Sequence, residues 1–564
     1  MMSDMHSNGF EAARPAEHDD LAHQGQIAAF DNALEPIGVV QEIAGSTSAI
    51  ALDLQRLVAC STDADPSIAL SGQVGSQIKI RVNRGWLLAS VRTQRHDPNV
   101  PGGIHAQIDF LGEGDEERLT GRIHGFRRGV TQYPIPGALV YPATSNDMRQ
   151  IYASDGRSSI QIGTVYPTRD IRAGLYIDAF LGKHFALLGS TGTGKSTSAA
   201  LLLHRICETA PEGHIVMIDP HGEYANAFRT TGKVFDVSNL AMPYWLMNFE
   251  EHCETMLTSM GEQRQEDADI LARCLLQARS KNRLADAMGR ITVDSPIPYV
   301  LSDLTNVLQV EAGKLDKSTT SAPFIRLKNK IDELRNDPRY QFMFSGMLVT
   351  DTMADFIGRI FRMPADSKPI SIIDVSGVPS EITSTVVAML ARLVFDYAIW
   401  GRDEKMRPIL LVCEEAHRYV PNEKNADGSS VGRILSRIAK EGRKYGVSMG
   451  LITQRPSDLA EGVLSQCGTI IAMRLNNDRD QAFVRAAMPE GSRGFLDSIP
   501  ALRNRECIIS GEGVSIPMRV TFDELEEMKR PASADPSFTE LWRQSGGEEA
   551  SVQRTVMRWR AQGR

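Results

Sequence analysis

The chain has 564 residues, 42% of them hydrophobic and 23% charged, a soluble-protein balance at a length that implies two or three domains. Its formal net charge of −8 excludes a histone-like binder coated in positive charge, although a ring needs basic residues only on its inner wall. Seven scattered cysteines without a CxxC pair argue against a disulfide framework or zinc site and fit a reducing cytoplasm.

The first 33 residues are polar, lack the apolar segment of a secretory signal, and read as a disordered tail. Residues 34–130 carry short alternating runs, among them Gln77-Ile78-Lys79-Ile80-Arg81-Val82 and Ala106-Gln107-Ile108-Asp109-Phe110-Leu111, punctuated by Gly, Asp, Asn and Pro. Strands so spaced predict a small β-barrel or sandwich. Residues 131–182 read as a linker into a second domain. From residue 183 apolar runs alternate with helical stretches, which predicts an α/β fold on a parallel sheet. Its candidate strands are 185–188, 214–218, 233–237, 370–375, 409–413, 447–453 and 469–475. This core spans 183–249 and 346–495, interrupted by a helical insert at 250–345. A β-like segment at 496–530 follows, and then a linker and a basic helical tail at 531–564. No run approaches the roughly 18 apolar residues of a membrane span.

Gly189-Ser190-Thr191-Gly192-Thr193-Gly194-Lys195-Ser196 satisfies G-x-x-x-x-G-K-[ST] between an apolar strand and a helix. In such a loop the glycines let successive N–H groups face phosphate oxygens. Lys195 would reach the β- and γ-phosphates of ATP, Ser196 would ligate Mg²⁺, and Thr197 completes the nucleotide-binding set. Glu414 and Glu415 follow the apolar run 409–413, at the strand edge where α/β sites form. Glu414 stands where the magnesium-shell Asp is usual, and Glu415 is assigned as the base that orients the attacking water. Gln454, closing 447–453, can bond the γ-phosphate or that water. Arg433, Arg437, Lys440 and Lys444 share one helix face. Such a stripe is either solvated or turned toward a neighbouring subunit's phosphates. In the second case Arg443 is the first candidate for an arginine finger and Arg437 the second.

Together the P-loop, IDPHGEY at 218–224, EEAHRYVP at 414–421, KEGRKYGV at 440–447 and ITQRP at 452–456 resemble the HerA branch of the HerA–FtsK translocases. The resemblance covers roughly residues 35–530. It implies a RecA-like P-loop NTPase core with an N-terminal small β-barrel of the HAS type and an inserted helical bundle. It also implies a homo-hexameric ring acting on double-stranded DNA, with ATP sites between subunits. The strand at 516–520 is similar to the segment that braces a neighbouring subunit. By position, Asp219 and Glu223 would lie near the magnesium, and Lys183 would help the phosphates, with the bidentate contact of an Arg lost. His221-x-Glu223 is taken as a polar edge of the site and not a metal site.

HerA-like proteins commonly pair with a NurA-type nuclease in end processing, or with sirtuin-type or nuclease effectors in anti-phage defence. Two functions are therefore carried forward. One is a DNA motor whose channel is lined by basic residues such as Lys281, Arg283 and Arg433. The other is an ATP-switched scaffold that activates an effector through its β-rich domain.

Overall fold

The computed structural model describes residues 34–561 apart from 46, 84, 98–101, 118–120, 153–155, 315–320, 423–428, 490–491, 533–536 and 544–548. The expected disordered tail at 1–33 lies outside the described residues. The chain divides into two compact units, Met1–Ala153 and Ser154–Arg564.

The first unit is antiparallel: β1 (Gly38–Ala44), β2 (Thr47–Asp53), β3 (Gln77–Val82), β4 (Gly85–His96), β5 (Gly103–Glu116), β6 (Ile123–Arg128) and β7 (Leu139–Pro142). Among the described residues the order is β2-β1-β7-β3-β4-β5, and β2 also pairs with β5, so six strands close into a barrel with β6 added beside β5. Period-two alternation turns Ile50, Leu52, Ile78, Ile80, Leu87, Ala89, Ala106 and Ile108 into the core. Lys79, between Ile78 and Ile80, is also buried. Its Nζ donates to Asp147 Oδ2 at 2.9 Å, and Asp147 closes a capping box with Thr144 at the start of helix Ser145–Ile151. The barrel thus extends past residue 130. Residues 131–182, expected as a linker, instead hold β7 and this helix, then β8 (Ser159–Val165) and β9 (Arg172–Tyr176) of the second unit.

The second unit adds β10 (Phe185–Leu188), β11 (Ile215–Asp219), β12 (Gly232–Phe235), β13 (Ile370–Asp374), β14 (Ile409–Cys413), β15 (Val447–Thr453), β16 (Thr469–Met473), β17 (Glu506–Gly511) and β18 (Met518–Phe522). Among the described residues they form, with β8 and β9, an 11-stranded sheet ordered β12-β13-β11-β14-β15-β10-β16-β17-β18-β8-β9. From β12 to β16 all pairings are parallel, and from β16 onward all are antiparallel. Strands β10, β11, β14 and β16 are buried throughout, as strands covered on both faces are. Strand β18, expected to brace a neighbour, is paired on both sides within its own chain, by β17 and β8.

Between β12 and β13 lies the helical insert, with helices Phe249–Met256, Glu262–Ser280, Leu301–Gly313 and Ala322–Asn336, extending to Met353–Phe361. Arg279 is fully buried inside it, and its guanidinium donates to the carbonyls of Trp245, Met247, Val293 and Ser295. Helix Ser380–Trp400 is long and apolar enough to cross a membrane by length and composition, and 61% of its most apolar window is buried in the protein. The sequence masks it as a core helix because Arg392 and Asp396 interrupt the run, and these pair at 3.0 Å while Arg392 also binds Glu251.

Candidate nucleotide site

Strands β10 and β11 are consecutive in the chain, yet β14 and β15 stand between them. The crevice beyond the carboxyl ends of such strands is where α/β proteins bind ligands. Residues 189–194 leave β10 there and enter helix Lys195–Thr209. Gly192 and Gly194 have φ of 77° and 91°, a left-handed backbone that glycine adopts without strain. The loop is held from both neighbouring strand ends: Gly189 N–H donates to Thr453 O at 3.3 Å and Ser190 N–H to Arg474 O at 2.9 Å. On its far side, Arg505 N–H donates to Thr193 O at 3.0 Å.

Lys195 is buried, with Nζ 3.6 Å from Glu415 Oε1. Glu415 takes a φ of 50° as it turns off β14, a conformation that costs a non-glycine residue about 1–3 kcal/mol and is concentrated at functional sites. Burial alone would raise its carboxyl, but His417 and Lys195 outweigh burial and hold it below the ordinary value. Glu414 is buried more deeply. Burial pushes its carboxyl up to about 8; Glu415, Asp219 and Glu223 add to the rise, against the pull of Lys195. Gln454 Oε1 accepts a hydrogen bond from Thr191 Oγ1, so the strand-end amide lies over the loop.

The residues present fit a magnesium ion. Glu414 Oε2 and Glu415 Oε2 are buried without a hydrogen-bond partner, and both carboxylates follow β14, with Glu415 3.6 Å from Lys195, the residue before Ser196. Among the described residues no group of three or more His, Cys, Asp or Glu side chains could hold a metal. Magnesium does not require one, since it keeps several waters and shares one or two protein oxygens with substrate phosphates.

Asp219, expected near the metal, lies close enough to Glu414 to help raise its carboxyl, and its own carboxylate accepts from the N–H groups of His221, Gly222 and Tyr224 at 3.1, 2.9 and 2.9 Å, which folds the HGEY turn. Other residues read from the sequence lie elsewhere. Lys183 ion-pairs with Glu512 and precedes β10, whereas the loop follows it. At about 3.3 Å per strand residue, roughly 20 Å separates Lys183 from Gly189. Arg443 is exposed, and the whole length of β15 lies between it and Gln454, so it cannot reach its own loop. Arg437 bonds Glu441 and stacks over Phe395. Arg433 pairs with Glu250 and Lys281 with Asp303, while Arg283 is exposed at a helix start. Thr453, His417 and Tyr224 also reach this site, although no motif spacing marks them. Tyr224 is fully buried, and burial beside Glu414 and Asp219 pushes its hydroxyl well up.

Residues 160–394 match the family described as "Helicase HerA, central domain". The chain is 27% identical over 497 residues to a DNA double-strand break repair helicase HerA of Pyrococcus furiosus, covering 83% of this chain and 87% of that one. It is 26% identical over 419 residues to the protein of the same name from Sulfolobus acidocaldarius, covering 70% and 76%. A solved structure of VirB4 from Thermoanaerobacter pseudethanolicus is similar with a TM-score of 0.48 at 15% identity, covering 67% of this chain and 99% of that one. The loop and the paired carboxylates meet in one crevice of a P-loop ATPase fold, and over most of its length the chain is similar to HerA-type helicases.

Proposed function

We propose that the protein is an ATP-driven translocase on double-stranded DNA, working as a homo-hexamer with a nuclease or other effector. The observation that carries this reading is the line Lys195–Glu415–His417 at the mouth of the P-loop, its first two members buried, closed by Gln454. On entry of ATP, the loop N–H groups and Lys195 take the phosphates, and Lys195 leaves Glu415. Glu415 then accepts a proton from the attacking water, while Gln454 orients that water. General-base assistance of this kind contributes about 10²–10⁴-fold. Ser196 and Glu414 would hold the magnesium, which supplies charge neutralisation at the phosphates. Arg443 completes the site of a neighbouring subunit; in related chemistry such an arginine is worth about 10³–10⁵ in kcat.

Support for DNA as the track comes from the names of the relatives, both DNA double-strand break repair helicases. A NurA-type nuclease or a sirtuin-type defence effector are the two partner classes proposed. The scaffold reading has its own support in the barrel unit, where Val39 and Leu139 are paired in register and exposed. An exposed apolar pair of this kind suits a docked effector. Displacement of a triplex-forming oligonucleotide from linear duplex separates the two. ATP-dependent displacement lost in Lys195→Ala is expected of a motor. Effector activation by ATP without displacement would favour the scaffold.

A further inference from the structure

One partly buried side chain at this site, His417, takes no step in the mechanism above. His417 Nδ1 is hydrogen-bonded to Thr453 Oγ1 at 3.0 Å and lies 3.2 Å from Glu415 Oε2, a close approach without hydrogen-bond alignment. Thr453 Oγ1 also accepts from Arg455 N–H at 3.1 Å, and Thr453 O holds the loop through Gly189 N–H. A proton on Nδ1 therefore faces two oxygens, one on the proposed base and one on the residue before Gln454. Only the Nδ1–H tautomer can serve both.

Lys195 Nζ also lies beside Glu415, at 3.6 Å, and ATP phosphates compete for it. Once Lys195 turns to the phosphates, the base loses a partner just when it must be aimed at a water. We propose that His417 is a positioning residue that takes over Glu415 when ATP draws Lys195 away, moving its N–H from Thr453 to the carboxylate. The same movement frees the Thr453 hydroxyl and so couples the base to the strand end that carries Gln454. This rests on the ATPase reading above and assigns how its base is held.

The test compares His417→Asn, whose amide nitrogen can stand where Nδ1 stands, with His417→Gln, whose amide nitrogen stands nearer Nε2, and with His417→Ala. Steady-state ATP hydrolysis and binding of a non-hydrolysable ATP analogue are measured on the full chain. For His417→Ala, kcat is expected to fall by about 10²-fold, the low end of general-base contributions, with KM and analogue binding within about twofold of wild type. His417→Asn should recover most of that loss and His417→Gln little. A kcat for His417→Ala within about twofold of wild type would overturn the proposal. So would equal losses in Asn and Gln with analogue binding intact. If the alanine protein fails to fold, the Asn-against-Gln comparison decides alone. A wild-type protein that hydrolyses no ATP would instead sink the ATPase reading itself.

Discussion

Glu414 carries a protonation cost that should be visible in stability. Its carboxyl is pushed from the ordinary 4.5 up to about 8, chiefly by burial. The folded state therefore keeps the proton to higher pH than the unfolded state. Stability from this group is full below 4.5 and is lost as pH rises through about 8. Glu414→Gln cannot ionise, so in the nucleotide-free protein its melting temperature should exceed that of wild type by about 2 °C or more at pH 8. The gain should shrink toward pH 5, and ATP hydrolysis should fall. A gain that does not change with pH would contradict the assignment. Lys183 gives the opposite prediction. Its partner Glu512 is half exposed, and such pairs are worth about 0–1 kcal/mol. Lys183→Ala should leave ATP hydrolysis within about twofold of wild type, whereas Lys195→Ala should lower it by at least about 10²-fold. The contrast shows what was legible at this scale. Lys195, Ser196 and Glu415 stand in contiguous motifs whose local geometry follows from their spacing. Lys183 was misplaced because spacing alone does not say that β10 runs between it and the loop. For Asp219, the backbone turn that engages its oxygens beside Glu414 is not written in residue type.

Among the elements, the parallel strands were legible almost to the residue, since each is a short apolar run between turns and helices. Strands β6 and β7 were not. β6 exposes most of its residues, and β7 has four residues preceded by Pro134 and Pro136 and ending in Pro142, which locally read as a loop. Only its pairing with β1 and β3 makes it part of the barrel. Strand β18 was found, but its pairing partners within the chain were not, because pairing is long-range information. Its place between β17 and β8 leads to a truncation test. Ending the chain after Ala532 removes helices Phe538–Leu541 and Glu549–Ala561, which bury no residue, and should leave the melting temperature within about 2 °C. Ending it at residue 513 removes β18 with buried Met518, Val520 and Phe522 and leaves the β17 and β8 edges unpaired. That protein should be insoluble. Equal solubility of the two truncations would contradict the pairing.

For the molecule as a whole, Arg443 bears on assembly. It lies off the far end of β15 from its own loop, so its proposed catalytic role requires a second copy. Lys195→Ala and Arg443→Ala should each be inactive alone. Mixed after dissociation, they should regain about a quarter of wild-type ATP hydrolysis, because one interface in four then joins an intact Lys195 to an intact Arg443. No recovery, with mixed assemblies demonstrated, would remove Arg443 from the site. The measurement that bears most directly on the central claim is steady-state ATP hydrolysis by the full chain with and without linear duplex DNA, at low and moderate salt, with Lys195→Ala as control. A motor that grips phosphates should be stimulated by the duplex, less so as salt rises, and silent in the variant. Hydrolysis that persists in Lys195→Ala, or that ignores duplex DNA at both salt concentrations, would contradict an ATP-driven translocase working from this loop.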